Sequence, residues 1–108
     1  MIEIRGMQPD ELEAVHRMLD RAFSGTPGSF FDRQAKNDPF LRPEDTRILL
    51  DNGKIVSSVR IYFRDIYCQN QTIRIGGIGD VGTDPDAQRK GYASRLMEDA
   101  ISRIRQNR

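Results

Sequence analysis

One segment constrains the fold more than any other: a predicted strand that ends in a basic turn and leads directly into a helix. The strand ends near Thr83, and the turn contains Arg89, Lys90 and Gly91. Backbone N–H groups at the start of a helix lack intrahelical partners, and the helix dipole favours an anion there. The segment therefore predicts a site for a phosphate-bearing ligand, with an ordinary loop of solvated basic residues as the alternative. The helix is predicted from apolar residues at helical spacing, namely Ala93, Leu96, Met97, Ala100, Ile101 and Ile104.

Residue patterns elsewhere predict a strand, a helix, a short helix and three more strands ahead of the last helix. Alternation and spacing place these elements at residues 1–5, 9–23, from about 29, and at 47–50, 54–67 and 72–83. Asn52-Gly53 indicates a tight hairpin between two of the strands, because both residues tolerate positive φ angles. Residues 68–71 form a second polar turn.

Composition limits the class of protein. The chain has 108 residues, enough for one domain with a modest core, and 37% of them are hydrophobic and 31% charged. The net charge of +1 argues against a general nucleic-acid binder. No apolar run approaches the roughly 20 residues that cross a bilayer, and no secretory signal is visible. A single cysteine, Cys68, fits a reducing cytoplasm, and no spacing of His and Cys predicts a metal site.

The basic turn resembles a known family signature. Gln88-x-x-Gly91-x-Ala93 fits the (Gln/Arg)-x-x-Gly-x-(Gly/Ala) pattern of the GNAT superfamily of N-acetyltransferases, and Val81 to Pro85 is similar to the end of that family's fourth strand. The resemblance implies acetyl-CoA as cosubstrate. It implies that the pantetheine arm lies along Val81, Gly82 and Thr83, and that the pyrophosphate is held by Gln88, Arg89, Lys90, Gly91, Tyr92, Ala93 and Ser94.

Four of these residues have second interpretations. Arg89 and Lys90 act as counter-charges for the pyrophosphate or are simply solvated, and Tyr92 packs either on the cofactor or on the sheet. The Ser94 hydroxyl either reaches the phosphate or is solvated.

The resemblance covers essentially the whole chain and implies its fold. We expect an α/β (α+β) domain over residues 1–108, with a mixed, mostly antiparallel sheet and flanking helices. The family's fifth strand and the elements after it are missing, so we expect the C-terminal half to come from a longer chain or another subunit. Gly76-Gly77 is similar to the paired glycines of the enhanced-intracellular-survival-like branch, and the alternative is a bulge or a close backbone approach.

Asp80 is the candidate catalytic residue. It is the only ionisable residue between Gly76 and Thr83, in what should be the central strand. Its carboxylate could orient the amine or a water that relays the proton; the alternative is a hydrogen bond to backbone or to a basic side chain. Many family members carry a glutamate base on this strand, where this chain has Gly77.

Other candidates are weaker. His16 lies at the edge of an apolar helix face, and Cys68 has no visible partner base. Phe30, Phe31 and Phe40 lie where the family builds its acceptor pocket, although aromatic residues usually pack in a core.

The expected activity is transfer of an acetyl group from acetyl-CoA to a primary amine, carried by a small molecule or a peptide, through direct attack. Two alternatives belong to other classes. The chain could be a non-catalytic CoA-binding or regulatory module, or an inactive fragment that forms a homodimer through its open sheet edge.

Overall fold

The computed structural model describes residues 1–23 and 42–106. The predicted short helix near Ser29 and the aromatic residues Phe30, Phe31 and Phe40 lie outside the described residues. The strands and helices, in chain order, are β1 (Ile2–Gly6), α1 (Leu12–Ala22), β2 (Thr46–Asp51), β3 (Lys54–Cys68), β4 (Gln71–Thr83) and α2 (Tyr92–Gln106). Single 3-10 turns lie at Pro9–Glu11, Pro43–Asp45 and Pro85–Ala87.

The four described strands form one sheet in the order β1-β2-β3-β4, and each neighbouring pair is antiparallel. The predicted α/β fold with a largely antiparallel sheet is confirmed. The hairpin between β2 and β3 is also confirmed, since Asn52 and Gly53 have φ angles of 51° and 86°. The second turn repeats this geometry with Gln69 and Asn70 at 51° and 65°.

Helix α2 packs on one face of the sheet. Leu96 and Ala100 are fully buried against inward-facing residues of β2 and β3, among them Val59 and Ile61. Ile101 was predicted to share this buried face, but it is 41% exposed, so the buried stripe of α2 is narrower than the sequence spacing predicts.

Helix α1 covers the opposite face. Its buried side chains Val15, Met18 and Leu19 pack with Ile48 and Leu50 of β2. One helix therefore packs on each face of the sheet. No helix among residues 1–23 and 42–106 is both long enough and apolar enough to span a membrane.

Two glycines of β4 allow the helices to approach the sheet. A Cβ atom at Gly82 would lie 2.6 Å from Leu19 Cδ2 of α1, and one at Gly76 would lie 2.9 Å from Ile104 Cγ1 of α2. The close-approach interpretation therefore holds for Gly76. At Gly77 the nearest atom to such a Cβ among the described residues is the Tyr62 carbonyl oxygen at 3.9 Å, so packing against this part of the chain does not require glycine there.

Candidate functional site

The loop between β4 and α2 is anchored to both the sheet and α1. Asp84 begins it and is 1% exposed; its Oδ1 accepts a hydrogen bond from the Asp86 amide (2.9 Å), which caps the Pro85–Ala87 turn. The Asp84 amide donates to the Val56 carbonyl oxygen (2.7 Å). Arg21 of α1 places Nη1 3.1 Å from Asp84 Oδ2. These contacts fix the start of the loop in position.

The second half of the loop adopts an unusual backbone conformation. Arg89 and Gly91 have φ angles of 66° and 77°, in the left-handed region that glycine occupies without penalty. A Cβ atom at Gly91 would meet no atom of the described residues within 4 Å. The φ angle, and not a lack of space among these residues, therefore favours glycine at this position.

The start of α2 presents free amide donors. The first helical hydrogen bond in this segment runs from the Arg95 amide to the Gly91 carbonyl oxygen (3.2 Å). The amides of Tyr92, Ala93 and Ser94 donate to no acceptor within residues 1–23 and 42–106. Free N–H groups together with the positive end of the helix dipole favour a bound anion.

A cleft of about 370 Å³ lies between this loop, the end of β4 and the end of α1. It brings together nine of the ten residues that the sequence assigned to cofactor binding, and Lys90 is the exception. The residues lining the cleft are Ala22, Phe23, Val81, Gly82, Thr83, Ala87, Gln88, Arg89, Gly91, Tyr92, Ala93 and Ser94. A volume of this size lies within the range of clefts that bind small molecules.

Strand β4 lies at the edge of the described sheet, so the outer side of its backbone has no strand partner among the described residues. Such an edge can hydrogen-bond an extended amide-containing ligand as it would a further strand.

A β-bulge interrupts β4 immediately before the cleft. Arg60 of β3 pairs with Gly79, whereas Ser58 pairs with Gly82, so Asp80 and Val81 together face the single residue between them. Asp80 has a φ angle of 50°. An extra residue with left-handed geometry is typical of a bulge that redirects the strand.

Asp80 is bonded to two residues of β3. Its Oδ2 accepts hydrogen bonds from Arg60 Nη1 (3.2 Å) and from the Tyr62 hydroxyl (2.6 Å). Burial raises the pKa of Tyr62 to about 12, and the Asp80 carboxylate adds to the rise. The partnership with a basic side chain, which the sequence left open for Asp80, is therefore present.

Arg60 lies under α1 and is 1% exposed. Its Nε donates to Thr46 Oγ1 (3.4 Å), and its Nη2 lies 3.2 Å from His16 Nε2. Because a guanidinium has no acceptor, His16 Nε2 accepts this bond. The histidine is thus a buried partner of Arg60.

Tyr92 packs mainly on the sheet. It contacts the apolar cluster beneath α2, and its hydroxyl donates to Asp51 Oδ2 (3.0 Å). This bond is the main cause of the raised pKa of Tyr92. The residue also lines the cleft, so one side chain packs on the sheet and borders the cleft.

Four residues of this region did not stand out in the sequence: Arg21, Arg60, Tyr62 and Asp84. One signal was available for Arg60, since it lies between the apolar residues Val59 and Ile61. Alternation put its side chain on the other face of the sheet, and only the position of α1 shows that this face is covered. Within the described ranges, no three His, Cys, Asp or Glu side chains are arranged to hold a metal ion.

Solved structures with the same fold cover almost the whole chain. A GCN5-related N-acetyltransferase from Kribbella flavida has a TM-score of 0.78 at 20% identity, over 99% of this chain and 28% of that protein. Eis1 from Mycobacterium abscessus has a TM-score of 0.77 at 16% identity, over 99% and 26%.

A GNAT family acetyltransferase from Brucella melitensis, solved in complex with acetyl-CoA, has a TM-score of 0.75 at 17% identity, over 99% and 70%. The chain thus spans about a quarter of the Kribbella and Mycobacterium proteins. No curated protein is significantly similar in sequence.

At these identities the structural likeness shows the fold alone. The sequence itself matches the acetyltransferase (GNAT) domain family over residues 3–108, which is nearly its full length. With the signature at Gln88, Gly91 and Ala93 lying on the cleft and the fold in agreement, the chain belongs to the GNAT acetyltransferase domain family.

Proposed function

We propose that this domain binds acetyl-CoA in the cleft between β4 and α2 and transfers the acetyl group to a primary amine by direct attack. The observation that carries the proposal is the set of amides at Tyr92, Ala93 and Ser94, which have no acceptor among the described residues and belong to residues that line the cleft beside Gly91. Membership of the family and the acetyl-CoA complex of the Brucella melitensis protein support the same ligand.

The parts of the cofactor match different parts of the cleft. The diphosphate would accept hydrogen bonds from the amides of residues 88–94, with Arg89 and Lys90 adding positive charge. The pantetheine arm would lie along the outer edge of β4 at Val81, Gly82 and Thr83, and its amides would pair with that edge. Fixed backbone donors would contribute more than the two mobile side chains.

The reaction requires few groups. The amine nitrogen attacks the thioester carbonyl carbon, the C–N bond forms, the C–S bond breaks, and CoA leaves as a thiolate that takes up a proton. The amide of Val81 is proposed to polarise the carbonyl oxygen. Asp80 is proposed to orient the amine, or a water that accepts the amine's proton, through Oδ1, which has no donor among the described residues.

The acceptor is proposed to be a small molecule or a peptide that carries a primary amine, and the setting a reducing cytoplasm. The chain spans only part of several structural neighbours, so residues elsewhere in a longer protein or in a second subunit would complete the acceptor pocket. We further propose that the domain belongs to the enhanced-intracellular-survival-like branch of the family, and the glycine pair at Gly76 and Gly77 supports this proposal.

One observation favours the second candidate, a CoA-binding module without turnover. Asp80 Oδ2 accepts hydrogen bonds from both Arg60 and Tyr62, so one of the two oxygens of the candidate catalytic carboxylate already has structural partners. The two functions differ in a simple measurement. A module would bind CoA and release no free thiol from acetyl-CoA when amines are added.

The test combines binding and turnover on the complete protein that contains these residues. Acetyl-CoA at about 100 times its dissociation constant should stabilise the folded state by about 2.7 kcal/mol and raise the melting temperature. The double variant Arg89→Glu/Lys90→Glu should abolish this shift. A matched reversal at the exposed Arg17, on the far part of α1, should leave it intact.

The outcomes separate the candidates. Loss of the shift in the double variant together with thiol release supports the transferase. Loss of the shift without thiol release across a panel of amines supports the module. A melting-temperature shift that survives in the Arg89→Glu/Lys90→Glu variant contradicts the diphosphate assignment. A molecular mass that doubles as the protein concentration rises, without any binding of CoA, supports pairing through the edge of β4.

A further inference from the structure

Arg60 occupies an unusual place for a charged side chain. It lies in the middle of β3, is 1% exposed, and its guanidinium contacts residues from three other elements. The partners are Asp80 of β4 at 3.2 Å, His16 of α1 at 3.2 Å and Thr46 of β2 at 3.4 Å. Burying a guanidinium costs free energy that only well-placed partners offset.

The partner with the opposite charge lies in a strained segment. Asp80 has a φ angle of 50° within the bulge of β4, and a residue with a Cβ atom in this region costs about 1–2 kcal/mol. Such conformations persist when the surrounding structure determines them. Here both donors to the Asp80 carboxylate, Arg60 Nη1 and the Tyr62 hydroxyl, come from β3, in which residues 56–61 are all buried.

The conformation of Asp80 sets the direction of the next peptide group. That group carries the amide of Val81, a residue that lines the cleft. This amide is the donor proposed to polarise the thioester carbonyl. The Arg60 guanidinium restrains Asp80 from the side of the sheet that α1 covers, and it therefore also restrains the direction of this amide. Its planar fork with several donors suits the task better than a single ammonium would.

We propose that Arg60 is a positioning residue, which holds Asp80 and the bulge of β4 so that the Val81 amide points into the cleft. Arg60 itself does not line this cleft. The effect on turnover rests on the proposed acetyltransferase function, whereas the effect on the bulge does not.

The test compares Arg60→Lys with Arg103→Lys in the complete protein. Arg103 of α2 also pairs with a buried aspartate, placing Nη2 3.1 Å from Asp45 Oδ1, and it does not line the cleft. Both variants should lower the melting temperature. Only Arg60→Lys should move the amide and Cα chemical shifts of Asp80 and Val81 in NMR spectra.

In turnover, Arg60→Lys should reduce kcat by about 10- to 100-fold, because a displaced donor costs transition-state stabilisation. The dissociation constant for CoA should change by less than about threefold, since the loop between β4 and α2 is held in place by Asp84 and Arg21 and not by Arg60. In the Asp80→Asn background, the added effect of Arg60→Lys should largely vanish, as expected for two residues that act as one unit.

Tyr62→Phe provides a second variant if Arg60→Lys does not fold. It removes the other donor to Asp80 Oδ2 and should move the same chemical shifts to a smaller extent. Unchanged shifts of Asp80 and Val81 in the folded variants overturn the inference. An inactive wild type whose shifts still move with Arg60→Lys refutes the proposed turnover and leaves the positioning role supported.

Discussion

Arg21 of α1 places Nη1 3.1 Å from Oδ2 of Asp84, the buried residue at which the loop between β4 and α2 begins. Its Nη2 also donates to Asp86 Oδ2 at 2.9 Å. One side chain of the first helix thus holds the loop that precedes the last helix. The candidate binding loop depends on α1 for its position, although some sixty residues of sequence lie between them.

Removal of this contact should weaken the loop. In Arg21→Met the Asp84 carboxylate stays buried without its charge partner, and we expect a loss of about 1–3 kcal/mol in unfolding free energy. Urea denaturation measures this loss. Arg17→Met is the matched control, since its pair with Glu13 is exposed and should cost less than about 0.5 kcal/mol. Equal losses in the two variants would contradict the anchoring role of Arg21.

The close packing of α1 on β4 predicts different results for two glycines. Gly82→Ala places a Cβ atom 2.6 Å from Leu19 Cδ2 and should cost about 1–3 kcal/mol of stability through overpacking. The Cβ atom of Gly77→Ala has its nearest neighbour in the described part of the chain at 3.9 Å, so the variant should stay within about 0.5 kcal/mol of the wild type. Thermal denaturation of both variants tests this. A Gly77→Ala variant as unstable as Gly82→Ala would show that the packing is different.

The raised pKa of Tyr62 predicts a loss of stability at high pH. Its pKa is about 12 in the folded protein against 10.0 in the unfolded chain, so between these values the folded state binds more protons. The stabilisation that Tyr62 contributes is therefore complete below pH 10 and is lost as the pH rises towards 12. Absorbance titration of the phenolates should show a step near pH 12 that Tyr62→Phe lacks, while the raised pKa of Tyr92 should be the same in both proteins. A step near pH 12 that persists unchanged in that variant would assign it to another tyrosine.

At Ser58 we expect a substitution to leave the unfolding free energy unchanged or to raise it. Its hydroxyl oxygen is buried and has no hydrogen-bond partner within the described part of the chain. Burial of an unpaired hydroxyl costs free energy, so Ser58→Ala should be neutral or stabilising, by up to about 1 kcal/mol. Ser57→Ala is the control, because its hydroxyl bonds the Gly82 carbonyl oxygen (3.0 Å) and its loss should destabilise. A Ser58→Ala variant less stable than Ser57→Ala would indicate a hidden partner.

Local patterns predicted the elements of this fold well. A tight hairpin turn requires positive φ angles, which asparagine and glycine accept readily, and Asn52 and Gly53 have them in the structure. The spacing of Leu96 and Ala100 identified the buried side of α2, whereas Ile101 lies just beyond the edge of the stripe. Spacing gives the direction of a helix face, but its width depends on how the sheet curves beneath it.

Most of the cleft could be predicted because its lining residues, apart from Ala22 and Phe23 of the α1 end, lie within residues 81–94. The geometry of this strand end, turn and helix start follows from local rules. The network around Asp80 could not be predicted this way. It needs Arg60 and Tyr62 from β3 and His16 from α1, and the bulge that brings Asp80 to them leaves no mark in residue spacing.

The most direct measurement of the central claim is a titration of the ¹⁵N-labelled protein with CoA, followed by NMR. The amides of Gln88 to Ser94 should show the largest shifts, and those of Val81 to Thr83 should shift along the same saturation curve. The amides at the tip of the β3–β4 hairpin, residues 68–71, should stay in place. Saturable shifts confined to other parts of the molecule, or none at millimolar CoA, would contradict the assignment of this cleft to the cofactor.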